Sequence, residues 1–80
     1  MDLKDTVELM LSDDYKERFK AEYYQTKIRY EKLHKLVVKY DAGKLNFDLG
    51  DIYLFKSQAS NMGQYLYCLE VRAEIEGIEL

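Results

Sequence analysis

Proline is absent from this 80-residue chain, and glycine occurs only four times. These two residues penalise helix interiors most, so their scarcity leaves the helical backbone with little opposition. Cysteine occurs once, as Cys68, which excludes an internal disulfide, and histidine once, as His34, which excludes a His/Cys zinc cluster. No apolar run approaches the ~20 residues of a membrane-spanning helix. The opening Met1-Asp2-Leu3-Lys4-Asp5 lacks the basic stretch and apolar core of a secretion signal. The expectation is a cytoplasmic protein with no membrane partner. No glycine-rich loop precedes a helix to cradle phosphate, and a nucleophilic cysteine would depend on the single Cys68/His34 pair. Cys68 lies at helical spacing between Tyr65 and Arg72, where a small packed thiol is the ordinary reading. The carboxylates Glu70, Glu74, Glu76 and Glu79 read as a solvated helix end rather than a metal site. The chain is therefore expected to bind without catalysing, and to need neither cofactor nor metal.

What is present is a chain 48% hydrophobic and 34% charged, too apolar for a disordered tail. Its length makes residues 1–80 one domain with a thin core. Eight tyrosines are many for this size. A buried tyrosine needs a partner for its hydroxyl, so a tyrosine-rich surface suits an interface or pocket with one dry and one polar side.

Leu3, Val7, Met10 and Leu11 fall at helical spacing and predict a short first helix over 3–11. Ser12-Asp13-Asp14 interrupts it, and Asp14 with Glu17 three positions on resembles a capping box. From Tyr15 to Tyr40 the positions Phe19, Tyr23, Tyr30, Leu33, Val37 and Tyr40 step by fours and threes, with Thr26 the one polar member, which is a seam of period 3.5. Such a helix is about 39 Å long and needs a partner along its length. Gly43 in Asp41-Ala42-Gly43 suits a left-handed C-terminal cap. In the linker 44–50, Leu45, Phe47 and Leu49 alternate as a short extended stretch folding over the hairpin end. A third helix, from about Asp51 to Ile75, carries the seam Phe55, Ala59, Met62, Leu66, Leu69 and Ala73. The fold class is all-α: a short N-terminal helix, then an antiparallel hairpin of two long helices. Gly63 inside the last helix costs roughly 1 kcal/mol relative to alanine. Either another backbone or a ligand approaches closely there, or an exposed glycine is tolerated.

The net charge of −3 hides a segregation. Residues 15–40 carry eight Lys or Arg against three glutamates, while five carboxylates oppose Lys4 before them and seven oppose three basic residues after them. A basic helix interleaved with tyrosines can hold phosphates and stack bases. An acidic molecule, however, is repelled by an extended polyanion, so no duplex nucleic-acid partner is expected. A small phosphorylated ligand in a local basic pocket is compatible with the same charge.

On the third helix Gln58, Asn61, Tyr65, Cys68 and Arg72 form a hydrogen-bonding stripe beside the apolar seam. Arg72 admits two readings, an ion pair with neighbouring carboxylates or recognition of phosphate. The series Asp14-Tyr15-Lys16-Glu17-Arg18-Phe19-Lys20-Ala21-Glu22-Tyr23, then Lys32-Leu33, then Gln58-x-x-x-Met62-x-x-Tyr65-x-x-x-Leu69-x-x-Arg72, resembles small phage and prophage helical proteins related to a crAss-like phage protein. These are similar to the anti-CBASS sponges, oligomeric proteins that sequester cyclic oligonucleotide messengers of bacterial immunity. The resemblance spans nearly the whole chain. It implies a phage anti-defence protein in the host bacterial cytoplasm that sequesters a cyclic di- or trinucleotide, and it implies Gln58, Met62, Tyr65 and Arg72, with Tyr23 and Lys32 from the facing helix, as ligand-binding residues. Tyr65 and Arg72 lie about 10 Å apart along the helix, the scale of a nucleotide with its base on the ring and its phosphate on the guanidinium. Two other classes remain open: a helical inhibitor of a host defence protein such as a nuclease, and a virion assembly factor. A homo-oligomer is expected, because Tyr24, Ile28 and Leu36 lie off one seam and Ile52 and Tyr65 off the other.

Overall fold

A computed structural model describes residues 1–80 and contains helix and connecting loops, with no strand. A 3-10 turn, Leu3–Thr6, leads into α1, Val7–Met10; the two long helices are α2, Tyr15–Asp41, and α3, Leu49–Glu76. The all-α hairpin is the architecture the periodicities demand.

Local chemistry accounts for most boundaries. The Asp14 carboxylate accepts from the Lys16 backbone N–H at 2.9 Å and caps α2. Glu17 does not complete a box there; the Asp14 N–H donates to Ser12 Oγ at 3.0 Å. The full capping box sits instead at the start of the N-terminal 3-10 turn, where Asp2 and Asp5 exchange backbone-to-carboxylate bonds of 3.0 and 3.3 Å. Gly43 ends α2 at φ 77°, with Lys44 N–H donating to Lys39 O and Gly43 N–H to Tyr40 O, both at 2.9 Å. This double closure needs the left-handed backbone that glycine adopts freely. The same device ends α3: Gly77 has φ 71°, and Ile78 N–H donates to Ala73 O at 2.9 Å. The turn tucks Ile78 back into the core.

The α3 seam holds as expected. Ala59, Leu66, Leu69 and Ala73 are buried and Phe55 and Met62 half-buried. Ile52 corrects the sequence reading: it is buried, continuing the seam by one step from Phe55 instead of lying off it. The principal core gathers Phe19 and Tyr23 of α2 with Leu66, Leu69, Ala73 and Ile78, and Tyr24 packs against it. At the loop end Phe47 lies 6.3 Å from Tyr40 and 5.4 Å from Phe55, so the linker does fold over the hairpin. Leu45 and Phe47 are half-buried, but Leu49 is exposed because it already belongs to α3.

The N-terminal segment docks by a different face from the one its apolar spacing suggests. Val7, Met10 and Leu11 are exposed, while Thr6 is fully buried. Thr6 Oγ1 donates to Leu3 O at 2.7 Å and accepts from Gln25 Nε2 at 2.9 Å, and Arg18 Nη1 donates to Ser12 O at 2.8 Å. Switching from 3-10 to α geometry within eight residues changes the angular step, so a single 3.6-residue period misplaces the buried side.

Candidate functional site

Across the hairpin, side chains pair in antiparallel register. On one flank Arg72 Nη2 donates to Tyr15 Oη at 2.9 Å, Tyr15 donates in turn to Glu76 Oε1 at 3.0 Å, and Arg72 Nε stands 3.5 Å from Glu76. The guanidinium also lies over the Phe19 ring, 5.1 Å from its centroid. Desolvation works against its charge, but Tyr15 and Glu76 outweigh it and raise the Arg72 pKa. Seven residues back along α3, Tyr65 Oη donates to Glu22 Oε2. That bond, followed by burial and the Glu22 charge, raises the Tyr65 pKa, with Arg72 opposing.

Continuing along this flank, Leu54, Ser57, Gln58, Asn61, Met62 and Tyr65 line a shallow concavity of about 620 Å³. Three of the six residues singled out from the sequence, Gln58, Met62 and Tyr65, are thus brought together. Their spacing of four and three is what places them on one helix face. Between Lys56 and Glu70 α3 has no charged residue, so the walls are hydrogen-bonding and apolar.

The other three lie elsewhere. Arg72 shares the flank, one heptad beyond Tyr65, and is engaged by Tyr15, Glu76 and Phe19. Tyr23 is buried on the opposite flank, where Oη donates to Glu70 Oε2 at 2.8 Å. Burial first and that bond second push its pKa up to about 12. With its ring edge-on to Tyr24 and under the Lys27 ammonium, 5.7 Å away, Tyr23 presents no free face for a base. Lys32 is exposed and lies two turns from Gln25, on the side of α2 that carries the N-terminal segment.

Leu54, Ser57 and the Glu22 partner of Tyr65 were not visible as site residues in the sequence. Leu54 and Ser57 share the Gln58 and Asn61 face and were accessible to a helical projection. Glu22 depends on the register between two helices, which no local pattern reports. Cys68 is exposed, not packed as expected. Gly63 is neither exposed nor approached by another backbone: a Cβ there would come within 3.3 Å of Tyr30 Cε1, so a side-chain ring lies on the glycine.

The largest hollow, about 740 Å³, lies between Tyr23 and the C-terminal tail and is lined by Glu70, Glu74 and Glu79. Its carboxylates disfavour an anion, which makes the smaller, uncharged concavity the better candidate for a phosphorylated ligand. No group of three His, Cys, Asp or Glu side chains is disposed to hold a metal ion, and no helix is long and apolar enough to cross a membrane.

The fold is thus a helical hairpin with a hydrogen-bonding hollow on one flank. The family model described as Sequestin matches residues 13–75, and the chain belongs to the Sequestin family. Membership makes it a sequestering protein rather than an enzyme, and the matched span contains all three stretches on which the resemblance to small phage and prophage proteins rests. No curated protein and no solved structure matches the chain.

Proposed function

We propose that this protein is a phage anti-defence sponge that binds a small nucleotide signal, such as a cyclic di- or trinucleotide, in the concavity formed by Gln58, Met62 and Tyr65 with Leu54, Ser57 and Asn61. The observation that carries this reading is the convergence of those side chains on one hollow in a member of a sequestering family. Met62 and Leu54 offer apolar contact to a base, the Gln58 and Asn61 carboxamides can donate to and accept from its edge, and the Tyr65 ring borders the hollow. Sequestration requires only that the ligand be held, so no group need act on it chemically.

All six lining residues come from α3, so the hollow is open on its outer side. Tyr53, Leu54, Tyr67, Val71 and Ile75 of α3 are 40–78% exposed, a larger apolar surface than the half-buried Tyr24, Ile28 and Leu36 of α2. We therefore place the oligomer contact on α3.

A thermal-shift screen against cyclic di- and trinucleotides tests the reading, because a ligand that binds only the folded state raises Tm. A shift with at least one member, abolished by Tyr65→Ala and Gln58→Ala in proteins of unchanged helicity, is the expected result. Absence of any shift across the panel would overturn it.

A further inference from the structure

We propose that Arg29 of α2 is the anion-holding residue of the α3 concavity, and that the group it holds is a nucleotide phosphate. The identity of the phosphate's carrier rests on the nucleotide reading above; the anion subsite itself rests on the register of the hairpin.

Cross-helix pairs on this flank recur at heptad steps. Tyr15 meets Arg72, and Glu22 meets Tyr65. Each step advances seven residues along α2 and retreats seven along α3. Seven residues are two turns of a packed helix, so antiparallel steps of this size preserve both the face and the level. Extending the same step by one more rung brings Arg29 to the level of Gln58, which lines the concavity while Arg29 borders it from α2 without lining it. The heptad register persists to this level on the opposite flank, where Tyr23 meets Glu70 and, seven residues on, Tyr30 lies on Gly63.

The first two rungs are closed by hydrogen bonds within the chain. The third is open: Arg29 and Gln58 are both exposed, and the chain's ion pairs are Lys56 with Asp41 and Arg72 with Glu76. Arg72, the arginine to which the sequence drew attention, is already committed to Tyr15, Glu76 and Phe19. Arg29 is the free guanidinium on this flank, and its planar fork matches two phosphate oxygens at once. Glu22 stands one rung away on one side, bonded to Tyr65, and Asp51 one heptad before Gln58 on the other. These carboxylates confine an anion to the Arg29 level.

Calorimetry with cyclic di-AMP and NMR titration with pyrophosphate test the assignment. Arg29→Ala is expected to weaken nucleotide binding roughly tenfold to a hundredfold, the range of a charge-assisted contact, with circular dichroism unchanged. Arg29→Lys is expected to restore it in part, because it keeps the charge and loses the fork. Pyrophosphate should shift the Arg29 Nε–H and Gln58 carboxamide signals in the native chain, and the Gln58 shift should vanish in Arg29→Ala. Those shifts would sustain the anion subsite even if no nucleotide bound, an outcome that would end the nucleotide reading alone. No pyrophosphate shift at Arg29, or nucleotide affinity unchanged by Arg29→Ala but lost in Tyr65→Ala, overturns the proposal.

Discussion

Gly63 shows how one missing side chain shapes the hairpin. Alanine would gain about 1 kcal/mol of helix propensity, yet its Cβ would press on the Tyr30 ring at 3.3 Å. That ring also stacks on His34, 5.4 Å away, which limits its retreat. The two effects nearly offset, so Gly63→Ala should stay within about 1 kcal/mol of the native stability in urea denaturation, whereas Gly63→Val, which adds bulk and a β-branch, should lose about 1–3 kcal/mol. Tyr23 provides a pH signature. Its folded pKa is raised to about 12 from the ordinary 10.0, chiefly by burial and then by the Glu70 bond. The unfolded chain therefore releases this proton first, and the associated stability is fully present below pH 10 and is lost as pH rises towards 12. Denaturation between those values should show a decline that is smaller in Tyr23→Phe. An equal decline in both proteins would assign it to other groups.

The long helices owe their ends to short-range chemistry and their pairing to the seam. Gly77 does more than stop α3: its left-handed turn returns Ile78 to the core beside Ala73 and Tyr23. Gly77→Ala forces a Cβ into that conformation at about 1–2 kcal/mol, and for a domain of this size about 1 kcal/mol lowers Tm by 4–8 °C. Scanning calorimetry should register such a drop, while the same substitution at Gly50, in the first turn of α3 with open space around it, should not lower Tm. The N-terminal segment hangs on the Thr6 hydroxyl, which serves both Leu3 and Gln25. The apolar residues Val7, Met10 and Leu11 drew the sequence reading to the wrong side because they looked like a core stripe. A buried threonine with two hydrogen-bond partners gives no such signal.

The hairpin is elongated, 44 × 26 × 18 Å, with a radius of gyration of 14.9 Å where a compact chain of this length has about 12 Å. Its accessible surface of 5897 Å² exceeds the roughly 5,000 Å² of a typical monomer of its mass. The excess coincides with the exposed tyrosines and aliphatic residues of α3. Light scattering at micromolar concentration should accordingly report a dimer or larger species, and a charge placed at Tyr67 or Val71 should reduce it to monomer. A native protein that is monomeric under those conditions would overturn the α3 contact.

The sequence by itself determined the helical class, the two seams, the Asp14 and Gly43 caps and the polar stripe that carries Gln58, Asn61 and Tyr65. All of these follow from periodicity or backbone chemistry within one element, where neighbours in space are neighbours in sequence. Tertiary structure alone decided that Arg72 is occupied by Tyr15, that Tyr65 meets Glu22, that Tyr23 is sealed against Glu70 and that Tyr30 covers Gly63. Those pairings depend on the axial offset between two antiparallel helices. That offset is set by the linker 42–48 and by the packing of the Phe19, Leu66 and Leu69 core, and shifting one helix by a single turn would keep both seams while exchanging every partner.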